Sequence, residues 1–268
     1  MPLLDTPDGA HLYYEVHGEG EPVIFLSGIM MNTLSWASYV PEISKRYQLI
    51  LLDFRDQGQS SRMQNEYTLD VHVPDVLHLI DSLNLKRVHL LGLSYGGQVA
   101  LKLTLSHQDR LKSLMLLNVN SVLTNHLSEI GRAWETAAEL YDGEKFFQLA
   151  IPFIYSRVFY ERSLDMLRQR QEMFKTMLTK EWFDAFIRLS HSVQGYHVPA
   201  NALKKIKTPT LLIGAEDDMI TPAKLMETMH ENIKNAEFVV IPDAGHGAFL
   251  ERANEYLTLV SGFLAKYS

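Results

Sequence analysis

The chain has 268 residues, 46% hydrophobic and 21% charged, which is enough to bury a core without cross-links. It contains no cysteine, so disulfides, thiolate nucleophiles and zinc-thiolate clusters are excluded, and any covalent nucleophile must be an oxygen or a nitrogen. The formal charge of -7 is spread along the chain with no basic run to follow a phosphate backbone, which argues against nucleic acid as a partner. Residues 1–10 lack the positive and apolar regions of a secretory signal. No apolar run approaches the roughly 20 residues that span a bilayer, and the expectation is a cytoplasmic protein with no membrane span.

Short apolar, often β-branched runs bounded by turn residues alternate with stretches of helical spacing, the pattern of a parallel sheet wrapped by helices. Residues 12–16 and 22–26 read as a first hairpin and an inner strand, with Gly18 and Gly20 between them. Strands follow at 48–53, 87–93 and 113–119, each apolar at its centre as strands buried on both faces tend to be. Helices are predicted at 76–83 and 95–106. From 121 to 199 the spacing is helical and no strand of matching quality occurs. This stretch holds thirteen of the twenty-seven aromatic residues, as expected of a lid over an apolar pocket, although packing of the insertion itself accounts for most of them. Strands at 210–214 and 237–241 and helices at 223–232 and 254–266 complete the series. The expected organisation is α/β, with a core domain formed by 1–120 and 200–268 and a helical cap at 121–199.

Gly92-Leu93-Ser94-Tyr95-Gly96-Gly97 lies between a predicted strand and a predicted helix, the context of a nucleophile elbow. The turn is tight enough to strain the nucleophile's backbone, and glycines at 92 and 96 relieve the crowding. Serine needs a neighbouring base. Of the eleven histidines, His246 is the candidate, because Asp243-Ala244-Gly245-His246-Gly247 follows the last predicted strand at the sheet edge where Ser94 emerges. An acid must orient that base. Glu216, Asp217 and Asp218 all follow the strand at 210–214; Asp218 ranks first, Asp217 second and Glu216 third. The strand ending near 119 carries Asn118 and Asn120 rather than a carboxylate. The oxyanion donors expected are the N–H groups of Tyr95, at the helix start, and of Ile29, in the loop 26–31. Met30, Met31, Trp134 and Phe153 are candidate substrate contacts, with Trp36 another wall or core residue. His126, His191 and His197 in the insertion are further possible contacts.

These residues and their order resemble the capped, single-domain branch of the α/β-hydrolase fold superfamily, which includes esterases, lactonases, cofactor-free haloperoxidases and C–C bond hydrolases. The resemblance implies a mostly parallel eight-stranded sheet flanked by helices, with the helical cap inserted after strand six, and no metal or organic cofactor. It matches Ser94 to the nucleophile, His246 to the base, Asp218 to the acid through the spacing to Pro222, and Ile29 and Tyr95 to the oxyanion hole. Two departures stand out. Ser27-Gly28 replaces the usual His-Gly, and Asp56 replaces a glycine in the run Asp53-Phe54-Arg55-Asp56-Gln57-Gly58-Gln59-Ser60. Asp53 and Arg55 read as structural. The expected activity is hydrolysis of a small, largely apolar carboxylic ester, with lactone, C–C bond or perhydrolase chemistry as alternatives on the same triad. A ligand-sensing regulator with slow turnover is the rival from another class.

Overall fold

The computed structural model describes residues 3–268, so residues 1 and 2 of the expected core segment lie outside the described residues. Eight strands form one sheet: β1 (Leu3–Asp5), β2 (His11–His17), β3 (Glu21–Leu26), β4 (Tyr47–Leu52), β5 (Val88–Leu93), β6 (Leu111–Leu117), β7 (Thr210–Ala215) and β8 (Ala236–Ile241). Their order is β1-β2-β4-β3-β5-β6-β7-β8. β1 and β2 pair antiparallel, as do β2 and β4, and every later pairing is parallel.

β2 forms its hairpin with β1, through Leu3 opposite Tyr13, and its other edge bonds β4. β3 lies beyond β4, flanked by two parallel neighbours, the inner strand expected of 22–26. A three-residue β1 carries too little periodicity to register in the sequence.

Alternation along the strands divides the core into two layers. Ile24, Leu26, Ile50, Leu52, Leu90, Leu114, Leu116 and Leu212 face one side, where α2 (His72–Ser82), α3 (Tyr95–His107) and α9 (Ala223–Asn232) cover them. Val23, Phe25, Leu49, Leu51, Leu91, Met115, Leu117 and Ile213 face the other, under α1 (Val40–Ile43) and α11 (Ala253–Tyr267). The short helices α8 (Ala200–Leu203) and α10 (Ala248–Glu251) complete this part of the chain.

Between β6 and β7 stand α4 (Asn125–Ala138), α5 (Gly143–Ala150), α6 (Arg157–Met177) and α7 (Lys180–Ser192). Each begins at a residue whose side chain caps it. Thr124, Asp142, Ser156 and Thr179 accept from the N–H groups of Leu127, Lys145, Phe159 and Trp182, an arrangement that satisfies donors with no helical partner. The insertion has its own apolar cluster, in which Phe146 meets Phe183 and Phe186 edge-on at 5.8 and 5.1 Å and Trp182 stacks on Phe186. A bridge between Val122 and His197 closes its neck. No helix among the described residues is long and apolar enough to cross a membrane.

Candidate active site

β5, β6, β7 and β8 lie side by side and run parallel, so the residues that follow them gather at one edge. Ser94 follows β5 directly, at φ 51° and ψ -115°, and its carbonyl accepts from the N–H of Gln98 as α3 begins. A Cβ at Gly92 would lie 2.4 Å from the Gly96 carbonyl oxygen, and one at Gly96 would lie 2.3 Å from that of Leu26. Those two approaches are the steric reason for glycine at both positions.

His246 arrives from the loop after β8. Its Nε2 is 2.9 Å from Ser94 Oγ, and its Nδ1 is 2.9 Å from Asp218 Oδ2. Asp218 follows β7 and its carboxylate is fully buried. Oδ1 accepts from the N–H groups of Ile220 and Thr221 at 2.9 and 2.8 Å, while Oδ2 accepts from Thr221 Oγ1 at 2.6 Å and Asn118 Nδ2 at 2.9 Å. Burial alone would raise its pKa, but the charge and hydrogen bond of His246 and the Thr221 donors outweigh it and bring the carboxyl down to about 2. Asp217 and Glu216 are exposed; Glu216 Oε2 instead accepts from the Asp243 N–H.

Asn118 and Thr221 are site residues that the sequence reading missed. Asn118 directly follows β6, at φ 46°, between the ends of β5 and β7, and its Oδ1 accepts from the buried Tyr256 hydroxyl. Its position where a carboxylate was looked for was the available signal: the amide supports the acid from the neighbouring strand. Thr221 touches both Asp218 and His246 Nδ1, the latter at 3.2 Å.

Gly28 and Ile29 line the same cavity as Ser94, and Tyr95 follows Ser94 directly in the chain. The loop after β3 lies against β5 because those strands pair. An added Cβ on Gly28 would be only 3.5 Å from Ser94 Cβ. Tyr95 is the first residue of α3, where a helical N–H has no partner within the helix. Ser27, the first departure from the family pattern, accepts from Trp36 Nε1 through its buried hydroxyl at 3.0 Å, a different support for the same loop.

Above Ser94 and His246 lies a cavity of about 450 Å³ with mostly apolar walls. Ile29, Met30, Met31, Leu93 and Val119 line it from the sheet side; Leu127, Trp134, Phe147 and Phe174 line it from the insertion. Phe153 does not line it, contrary to expectation. It packs against the insertion's apolar cluster, and its neighbours Ile151, Ile154 and Tyr155 face the cavity instead. Trp36 is wholly buried against Phe25 and Tyr39. His126, His191 and His197 are absent from the cavity wall. Asp53 accepts from the N–H groups of Thr33 and Gln59, and Arg55 is bonded to Asp75 and Asp8, the structural roles expected of both. Among the described residues no group of three or more His, Asp or Glu is placed to hold a metal ion.

A serine hydroxyl, an imidazole and a buried carboxylate in one hydrogen-bonded row can move a proton off the hydroxyl and stabilise the resulting imidazolium. Comparison with known proteins places the chain in a family. Residues 21–253 match the alpha/beta hydrolase fold family. Over 98% of this chain and 97% of the other, the structure is similar to that of MGS-M2, an alpha/beta hydrolase enzyme from a Medee basin deep-sea metagenome library, with 32% identity and a TM-score of 0.95. The sequence is 25% identical to RutD of Caulobacter sp. strain K31, whose name provisionally makes it a carbamate hydrolase, over 97% of each chain. It is 24% identical to the 2-hydroxymuconate semialdehyde hydrolase of Pseudomonas sp. strain CF600, over 93% of this chain and 88% of that protein. The chain belongs to the alpha/beta hydrolase fold family.

Proposed function

We propose that the protein is a serine hydrolase of small, largely apolar carboxylic esters. The observation that carries this reading is the row Ser94, His246, Asp218, with 2.9 Å at each link, at the floor of an apolar cavity. Ser94 Oγ attacks the carbonyl carbon and its proton passes to His246 Nε2. The oxyanion lies between the N–H groups of Ile29 and Tyr95. As the tetrahedral intermediate collapses, the leaving alcohol takes that proton and an acyl-Ser94 remains. Water repeats the sequence, giving the acid and free Ser94. Asp218 holds the imidazole with its Nε2 toward Ser94, and its low pKa keeps it ionised across the working range.

The insertion at 121–199 acts as a cap: its apolar side chains cover the carbonyl and exclude competing water. Met30, Met31 and Trp134 contact the bound substrate. No cofactor takes part in this cycle.

The test is labelling with a fluorophosphonate, mapping of the modified residue, and a turnover screen over a short-chain aryl ester, a lactone, an aryl carbamate and a vinylogous diketone. Modification at Ser94 and multiple turnover of the ester are expected. A label elsewhere rejects the nucleophile. A carbamate or diketone turned over far faster than the ester rejects the substrate class, and binding with no multiple turnover of any compound favours the ligand sensor.

A further inference from the structure

Asp56, the second departure from the family pattern, stands at φ 65°, a left-handed conformation in which glycine is strain-free and aspartate is tolerated. Its carboxylate is wholly buried. Arg188, on α7, closes on it with two bonds, Nε to Oδ2 at 3.1 Å and Nη2 to Oδ1 at 2.6 Å, while the Met63 N–H donates to Oδ1 at 3.0 Å. A bidentate guanidinium-carboxylate pair fixes orientation as well as distance, and loss of one partner leaves the other buried and uncompensated.

The next residue carries the contact to the site. Gln57 is buried and its Nε2 donates to the Gly28 carbonyl oxygen at 2.8 Å. That oxygen and the Ile29 N–H belong to one planar peptide group, so fixing the first fixes the direction of the second. Four residues beyond Arg188, on the same face of α7, Ser192 Oγ lies 2.8 Å from the Tyr95 hydroxyl and donates to the Leu189 carbonyl at 2.7 Å. His72 Nε2 holds the Tyr95 hydroxyl from another side at 2.9 Å.

Building on the hydrolase reading above, we propose that the 188–192 turn of α7 is the positioning element of the oxyanion hole. Arg188 sets the Ile29 N–H through Asp56, Gln57 and Gly28, and Ser192 sets the Tyr95 N–H through the tyrosine side chain. Neither residue lines the cavity; both act through others as positioning residues. The cap helix that covers the substrate thereby also aligns both donors.

The experiment is steady-state hydrolysis of p-nitrophenyl acetate by wild type, Arg188→Gln, Asp56→Asn and the double variant, with melting temperature and the pH profile of kcat/KM recorded for each. Loss of an oxyanion donor costs about 10² to 10³ in rate, so misdirecting one is expected to lower kcat about tenfold. KM should stay within about twofold and the pH midpoint set by the base should not move. The double variant should be no slower than either single one, because both cut the same link. Arg188→Lys, which keeps the charge and loses the fork, should recover part of the rate.

A folded Arg188→Gln protein with wild-type kcat overturns the proposal, as do a loss confined to KM and additive losses in the double variant. If Arg188→Gln does not fold, Gln57→Met cuts the link within the core and must reproduce the fall in kcat; an unchanged kcat overturns the inference. Ser94→Ala is run alongside. Retained turnover there removes the underlying hydrolase reading and the inference with it, whereas an inactive Ser94→Ala beside a full-speed Arg188→Gln removes the inference alone.

Discussion

Two serines stand at helix starts in this chain. At the head of α6, Ser156 has extended backbone, φ -65° and ψ 156°, and its hydroxyl accepts from the Phe159 N–H in an ordinary cap. At the head of α3, Ser94 is at φ 51° and ψ -115°, makes no cap, and turns its hydroxyl to His246. The difference extends to the regions around them. The four helices of the insertion are each capped by a residue next to them in sequence, whereas the loops at the sheet edge are set by pairings between distant strands. Local hydrogen bonds build the roof, and long-range register builds the floor. Mutations in the floor should therefore be felt in chemistry, and mutations at the caps in stability.

The largest test of that contrast is Ser94→Ala. Its kcat for an aryl ester should fall by about 10⁶, while its melting temperature stays at the wild-type value, because the hydroxyl caps nothing. An equal loss of stability would erase the distinction between the two serines. Next in size, Asp218→Asn should lower kcat by about 10⁴, the cost of presenting the wrong imidazole tautomer. Asp217→Asn, at an exposed carboxylate, should stay near wild type, and a reversal of the two would reassign the acid.

A pH titration of stability sharpens the same point. The Asp218 carboxyl is depressed from its ordinary 3.8 to about 2. Its stabilisation is therefore fully present above about pH 4 and is lost as the pH falls through 2, amounting to about 2 kcal/mol. The stability gap between wild type and Asp218→Asn should narrow over that window; a gap constant from pH 6 to pH 2 would contradict the assigned shift. The smallest expected effect is at a roof cap. Thr179→Ala should cost about 1 kcal/mol, read as a melting temperature lower by about 2–4 °C, with kcat within twofold. A loss of rate without a loss of stability there would mean that α7's start is coupled to the chemistry as closely as its end.

Most of the hydrogen-bonded row of Ser94, His246 and Asp218 could be read before any coordinates. Ser94 declares itself by glycines at fixed offsets between a strand and a helix, and His246 by a short loop after the last strand, because both follow from steric rules that act over a few residues. Asp218 was separable from Asp217 only by rank. The choice depends on which carboxylate the loop turns inward, where the Ile220 and Thr221 N–H groups and Asn118 meet it. Asn118 follows a different strand, and in the sequence it marks only the absence of a carboxylate there. Phe153 was misplaced for a similar reason: its segment is a single tight turn, Ile151–Phe153, and aromatic character does not say which side of a turn faces the cavity. The order of β2, β4 and β3 was also out of reach, since hydrophobic runs mark strands but not their neighbours.

By itself, the amino-acid order determined the α/β alternation, the strained serine turn, the helix caps and the helical character of 121–199, because each depends on contacts within about one turn or one strand. The tertiary structure alone decided which strands adjoin, which carboxylate is buried beside the imidazole, and that Arg188 meets Asp56 across 132 positions of chain. Those outcomes depend on how apolar layers close over the sheet, and burial is a property of the whole packed molecule rather than of any segment of it.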